Sequence, residues 1–272
     1  MHEEMLTTKM RGKMEDFVSI STSSATNPYC QARIKQAIED IRNHSEKARD
    51  IIDRYLLPSK HKLHLTATEA VNELAEIGCN ACVCVFCYAN KQQEYQKGTK
   101  DKGTRNGEFL SVERCADELP TPCPNEINGM KPFRFEAFGD LQNVAQAVNY
   151  IKMCMKNADA DCAIWTKNAY FLWEAVCMMG GKPQNVQFIY SSAYVNTPDR
   201  QTYDAYNKMC RERFGYPLFN KLFTVWTKNI AHRYAIEFNC CGADGMKDRK
   251  CKNCLNCYKR SDYNEFVNEL LR

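Results

Sequence analysis

Phe133-Arg134-Phe135-Glu136-Ala137-Phe138, closed by Gly139-Asp140, is the stretch on which the fold turns. It reads as a strand ending in a turn, and the theme repeats downstream. Residues 141–156 are helix-like, Cys162-Ala163-Ile164-Trp165-Thr166 is a short strand, and 169–179 is again helix-like, ending at Gly180-Gly181. Val186-Gln187-Phe188-Ile189-Tyr190-Ser191 is a third strand, 202–214 a helix, and Leu222-Phe223-Thr224-Val225-Trp226-Thr227 a fourth strand. Strand and helix alternating at this spacing predict βα units on a parallel sheet. Right-handed crossovers put the strand ends on one rim. The fold class expected is α/β, as a partial (β/α) barrel or an open parallel sheet, with irregular, cysteine-rich N- and C-terminal segments. One compact domain is expected in three parts: a helical and irregular cysteine-rich segment over 1–130, βα core units over 131–238, and a C-terminal cysteine cluster segment over 239–272.

Trp165-Thr166-Lys167-Asn168 recurs as Trp226-Thr227-Lys228-Asn229, each copy after a β-rich run. Either the tryptophans pack in the sheet core and Thr-Lys-Asn forms the exit turn, or both turns serve the C-terminal rim, where such folds place their sites. The polar candidates at these ends are Glu136, Asp140, Lys167, Ser191, Ser192, Asn196 and Lys228, with Asp140, Lys167 and Lys228 as catalytic candidates. His232 is a weaker candidate. His61 and His64 read as surface residues.

Outward toward the N-terminus, apolar positions Ile34, Ala37, Ile38, Ile41, Ala48, Ile51, Ile52 and Tyr55 predict one helix over 31–57, stopped by Pro58. Thr66, with Glu69 three residues on, marks another helix start. Residues 1–30 read as irregular. Residues 89–130 hold Lys97-Gly98, Lys102-Gly103, Asn106-Gly107 and two prolines around Cys123, which are turn signals. A helix is expected to interrupt them near 108–118.

The 272 residues carry 16 cysteines, 44% hydrophobic residues and a net charge of +4 from 37 basic and 33 acidic side chains. That is enough apolar material for a core and too much for disorder. The charge balance permits a nucleic-acid partner without requiring one. Basic groups near 91–105 and 247–260 lie beside cysteines. No apolar run reaches the length of a membrane span. The acidic start Met1-His2-Glu3-Glu4-Met5 lacks an apolar signal region. A cytoplasmic protein is expected, without a membrane association, whose cysteines are thiols or metal ligands.

Cys251-x-x-Cys254-x-x-Cys257 lies ten residues after Cys240-Cys241. Two-residue gaps turn successive thiolates toward one centre, a spacing found in iron-sulfur ligation, with Cys241 as the fourth ligand. Zinc accepts the same four thiolates. The second group is Cys79-x-x-Cys82-x-Cys84-x-x-Cys87, with Cys30 or Cys84 completing a set built on Cys79, Cys82 and Cys87. Cys115 and Cys123 flank a turn-prone stretch within reach of either centre. Cys154, Cys162, Cys177 and Cys210 sit in helix and strand patterns and read as core thiols. The expected cofactor is one or two iron-sulfur clusters, 4Fe-4S in type, with zinc as the alternative. The expected function is iron-sulfur binding, with electron transfer or radical chemistry behind it. Its alternative is a zinc-bearing structural protein or a binder of nucleic acid or a host protein.

In order, Cys30, Cys87-Tyr88-Ala89, the Phe-rich strand ending Gly139-Asp140, and the terminal Cys-x-x-Cys-x-x-Cys-Tyr resemble a phage-associated family of cysteine-rich proteins, the "gene product eighty-eight" domain family. The resemblance spans roughly residues 15–260 and implies a phage or prophage origin, hence a host cytoplasm, and an iron-sulfur centre. The chain is more loosely similar to radical S-adenosylmethionine enzymes. That likeness implies a redox partner, a cluster beside Cys87-Tyr88, and Gly139 and Asp140 holding the methionine amine of S-adenosylmethionine. The gaps of the first group are two, one and two, where that family has three and then two.

Overall fold

The computed structural model describes residues 8–9, 18–87, 97–137, 139–236, 254–259 and 265–271. Among the described residues seven strands form one sheet in chain order: β1 (Thr8–Lys9), β2 (Val18–Ile20), β3 (Pro132–Phe135), β4 (Asp161–Thr166), β5 (Val186–Ser191), β6 (Lys221–Trp226) and β7 (Phe266–Leu270). β1 pairs antiparallel with β2, and the six strands from β2 to β7 run parallel. The architecture is α/β, a six-stranded parallel sheet flanked by helices. Among the described residues no helix is long and apolar enough to cross a membrane.

Helices α5 (Val144–Lys156), α6 (Ala169–Met179) and α7 (Arg200–Phe214) connect β3 through β6. They pack on one face: Val148, Ile151, Leu172, Val176 and Tyr203 meet Phe133, Phe135, Cys162, Ile164, Phe188 and Leu222. The period-2 alternation of β4 sends Ala163 and Trp165 to the other face, where they join Ile189, Phe223, Val267, Leu255 and Tyr258. Cys154, Cys162 and Cys210 are wholly buried in the first core, with Cys177 packed at its edge. These four thiols fill volume as small apolar groups do.

Before β3 come α1 (Pro28–His44), α2 (Glu46–Leu56), α3 (Ala67–Glu76) and α4 (Lys97–Leu110). Periodicity reads the first two as one helix. Ser45 is extended and its Oγ accepts the Ala48 N–H at 3.1 Å, so it ends one helix and caps the next. Thr66 and Glu69 form a full capping box on α3. The segment 97–110, whose glycines read as turns, is helical. A Cβ on Gly103 would lie 2.8 Å from the Ser23 backbone nitrogen, so its glycine serves close approach to the loop after β2. Residues 18–20 and 266–270, also outside the strand expectations, are sheet strands. At three and five residues, they show no period of their own.

Candidate functional site

Parallel strands deliver their exits to one rim. Here Glu136, Ala137, Gly139 and Asp140 follow β3, Thr166 ends β4 and Lys167 follows it, Ser191 ends β5, Val225 is the last residue but one of β6, and Leu270 ends β7. They line a cavity of about 130 Å³, with apolar walls from Trp165, Phe223, Val225, Leu270 and Phe86. The 79–87 loop covers it. Val83 N–H donates to the Ala193 carbonyl at 2.8 Å, and Val195 N–H to the Ala81 carbonyl at 2.8 Å, so the loop pairs with the chain leaving β5. Tyr55 pins the loop from α2, its hydroxyl on the Val85 carbonyl at 3.3 Å and its ring 4.7 Å from Phe86.

Asp140 ties three elements together. Its Oδ1 accepts the Thr166 hydroxyl at 2.6 Å and the Leu141 N–H at 2.8 Å. The Lys167 N–H reaches both carboxylate oxygens at 3.2 Å. Arg33 of α1 lies 3.7 Å from Oδ2 and donates to Asn168 Oδ1 at 2.7 Å. Asn27 caps α1 and also donates to the Asp140 carbonyl at 2.9 Å. The first Trp-Thr-Lys-Asn copy is thus the joint between β4, the β3 exit and α1. The second differs: the Thr227 N–H donates to Asn196 Oδ1 at 2.7 Å, and Lys228 is exposed and outside the cavity lining. Of the other candidates, Ser192 bonds Thr224 at 3.1 Å, and neither Ser192 nor Asn196 lines the cavity.

Glu136 stands at the end of β3 with φ at +58°, a left-handed conformation uncommon for a side-chain-bearing residue. Its carboxyl accepts Tyr150 at 2.5 Å, Gln146 at 2.6 Å, the Thr22 N–H at 3.1 Å and the Thr22 hydroxyl at 3.0 Å. Burial pushes it up to about 7, against the lowering effect of the Tyr150 and Thr22 bonds. Gly139 closes against the same group, since a Cβ there would collide with Thr22 Oγ1 and Glu136 Oε2. Gly139→Ala is therefore expected to cost about 1–3 kcal/mol of stability. An unchanged urea midpoint would show that the loop can yield.

The thiols divide. Cys79 packs with the helical core among Ala70, Leu74 and Ile41. Cys30, in the first turn of α1, Cys84 and Cys87 line the cavity. Cys82 and Cys84 share a thiol–thiol hydrogen bond, and Arg33 donates to the Cys84 sulfur. The bond from Cys82, with Lys167 and Arg33 beside it, brings the Cys84 thiol down to about 6 although burial opposes this. The same bond, and burial, push Cys82 up. Burial first, then Asp140 and Cys84, hold Cys30 above the usual thiol range. Lys167 is only partly buried by surface area, yet its ammonium is desolvated, which would lower it. Cys84, Asp140 and Cys87 outweigh that and hold it above the ordinary lysine value.

This arrangement overturns the metal expectation. Among the described residues, no three of His, Cys, Asp and Glu form a group that could hold a metal ion. Cys30, Cys79, Cys82, Cys84 and Cys87 do not converge, and Cys254 and Cys257 belong to no such group. The physical reason at the first group is direct. Cys82 spends its proton on Cys84, and Cys84 faces Arg33 and Lys167, two fixed cations that repel a third. Iron-sulfur binding, with its 4Fe-4S type and electron-transfer role, is corrected accordingly, and so is zinc as the alternative metal. S-adenosylmethionine was expected only beside such a cluster and falls with it. Cys241 and Cys251 lie outside the described residues.

Arg33 and Thr22 carry no motif and were not legible as site residues. Arg33 reaches Asn168 and Thr22 reaches Glu136, each more than a hundred residues away in the chain. Comparison of the chain with protein-family models, with curated proteins and with solved structures finds no significant match.

Proposed function

We propose that the rim cavity is a small-molecule site at which Cys84 acts as a thiolate nucleophile on a small, largely apolar compound bearing an electron-poor carbonyl carbon. The observation that carries this is the Cys84 sulfur itself. It is hydrogen-bonded by Arg33 and Cys82, faced by Lys167, and set in the wall of a cavity at the strand ends. Thiolate, not thiol, is the nucleophile, and neighbouring cations stabilise it at neutral pH. Sulfur would form the S–C bond while the carbonyl electron pair moves to oxygen, within the field of the Lys167 ammonium. Collapse would expel the leaving group, which takes its proton from solvent, and leave an acyl-thioester on Cys84. The reaction class is acyl transfer. The volume is close to that of a cavity that takes up benzene, about 150 Å³, so the acyl group is small.

The sequential strand order supports a partial (β/α) barrel with this cavity in its mouth. A working thiolate suits a reducing compartment, and the likeness to the phage-associated family makes a host cytoplasm the setting we propose.

Iodoacetamide and a short-chain acyl thioester are the probes. Modification of Cys84, read by peptide mass spectrometry, is expected to follow a midpoint near pH 6 and to vanish in Cys84→Ser. Lys167→Met is expected to raise that midpoint by about one unit and slow labelling near neutral pH roughly tenfold. A midpoint near the ordinary thiol value of about 8.5 would overturn the reading, as would exposed Cys115 reacting while Cys84 stays unmodified.

A further inference from the structure

The 79–87 loop holds a second thiol that acyl transfer leaves unused. The Val85 N–H donates to the Cys82 carbonyl at 3.1 Å, which closes a tight turn over residues 82–85. That turn folds Cys82 and Cys84 back on one another, and their side chains are hydrogen-bonded, sulfur to sulfur. The Cys84 N–H also donates to the Cys82 sulfur. A disulfide needs Cα atoms within roughly 4.4–6.8 Å, a separation that two residues of one tight turn meet. Other nearby thiols are placed differently. Cys30 sits on α1 and lines the same cavity as Cys84, and Cys79 lies three residues before the turn, with burial as the influence on its thiol. Neither Cys82 nor Cys84 is in a disulfide in this structure.

We infer that Cys82 and Cys84 are a reversible dithiol–disulfide pair that a small hydroperoxide oxidises through Cys84. The inference rests on the reading of Cys84 as the nucleophile of the cavity. In the first step the Cys84 thiolate attacks the terminal peroxide oxygen. An S–O bond forms, the O–O bond breaks, and the alkoxide leaves and takes a proton from solvent as the alcohol. Sulfur is oxidised by two electrons to the sulfenic acid, and the peroxide is reduced. In the second step the Cys82 sulfur attacks the Cys84 sulfur. The S–S bond forms, the S–O bond breaks, and hydroxide leaves with the Cys82 proton as water. Two thiols and one hydroperoxide yield a disulfide, an alcohol and water, and a small dithiol reverses the change. Apolar walls at Trp165, Phe223 and Leu270 favour an alkyl hydroperoxide. The consequence is a cavity that holds its nucleophile in two states, one competent for acyl chemistry and one closed.

The test uses the full chain, reduced and then freed of reductant without air. One equivalent of tert-butyl hydroperoxide is added, with and without dimedone, and peptides are mapped without reduction. The expected product is an 82–84 disulfide, formed at least tenfold faster than any oxidation of exposed Cys115 or Cys123. Cys82→Ser should instead accumulate a dimedone adduct on Cys84, and Cys84→Ser should leave Cys82 reduced. A Cys30–Cys84 link, or oxidation at Cys115 and Cys123 while Cys82 and Cys84 stay thiols, overturns the inference. Iodoacetamide run in parallel separates the two ideas. Rapid alkylation of Cys84 without disulfide formation sinks the redox pair alone, and loss of both reactions sinks the nucleophile as well.

Discussion

Asp140→Ala is expected to lower the unfolding free energy by about 3–5 kcal/mol and the melting temperature by roughly 10 °C. The side chain is 4% exposed. Its removal strips acceptors from the Thr166 hydroxyl, the Leu141 N–H and the Lys167 N–H, all at a closed joint. It also withdraws the carboxylate 3.7 Å from Arg33. Unsatisfied buried donors cost more than the bonds they had contributed. Asp140→Asn keeps one acceptor oxygen and should lose less, about 1–3 kcal/mol. Urea unfolding of both variants decides the matter. An alanine variant with the parental midpoint would mean that β3, β4 and α1 are not joined through this carboxylate.

The second large effect is a pH dependence centred on Glu136. Its folded value is raised from 4.5 to about 7. A raised folded value means that the native state holds the proton more tightly than the unfolded chain. The associated stability is then present in full below about 4.5 and is lost as pH rises through about 7. A difference of this size corresponds to about 3 kcal/mol across that window. Glu136→Gln should remove this dependence. The amide would also turn an N–H toward Tyr150, Gln146 and Thr22, which already donate to the carboxyl, at a cost of about 1–3 kcal/mol at every pH. Urea midpoints measured across the window for parent and variant should therefore converge as pH rises. Parallel curves would remove Glu136 as the titrating group.

Local pattern made the four central strands and the helices between them legible, because a half-buried strand and an amphipathic helix write their burial into consecutive residues. Where burial had another origin, pattern failed. Gly103 looked like a turn residue because its reason for being glycine is the backbone of Ser23, eighty residues away. Ser45 split a continuous apolar stripe through a single capping bond. Within the site, Asp140 and Lys167 were legible as polar groups at strand ends, whereas Arg33 was one more cation on a helix until α1 brought it to Cys84 and Asn168.

The cysteines mark the limit most clearly. Spacing along the chain bounds how near two thiols can come, but it says nothing of where each sulfur points or what charge meets it. By itself the sequence determined an α/β chain whose parallel strands open their polar ends on one rim, since alternation and turn residues are local properties. Only the tertiary structure decided that Cys82 would donate to Cys84, and that Arg33 and Lys167 would stand where a ligand set was expected. Those outcomes depend on how the loop turns and on which remote segments pack against it, and a buried sulfur takes its protonation and its reactivity from the groups around it.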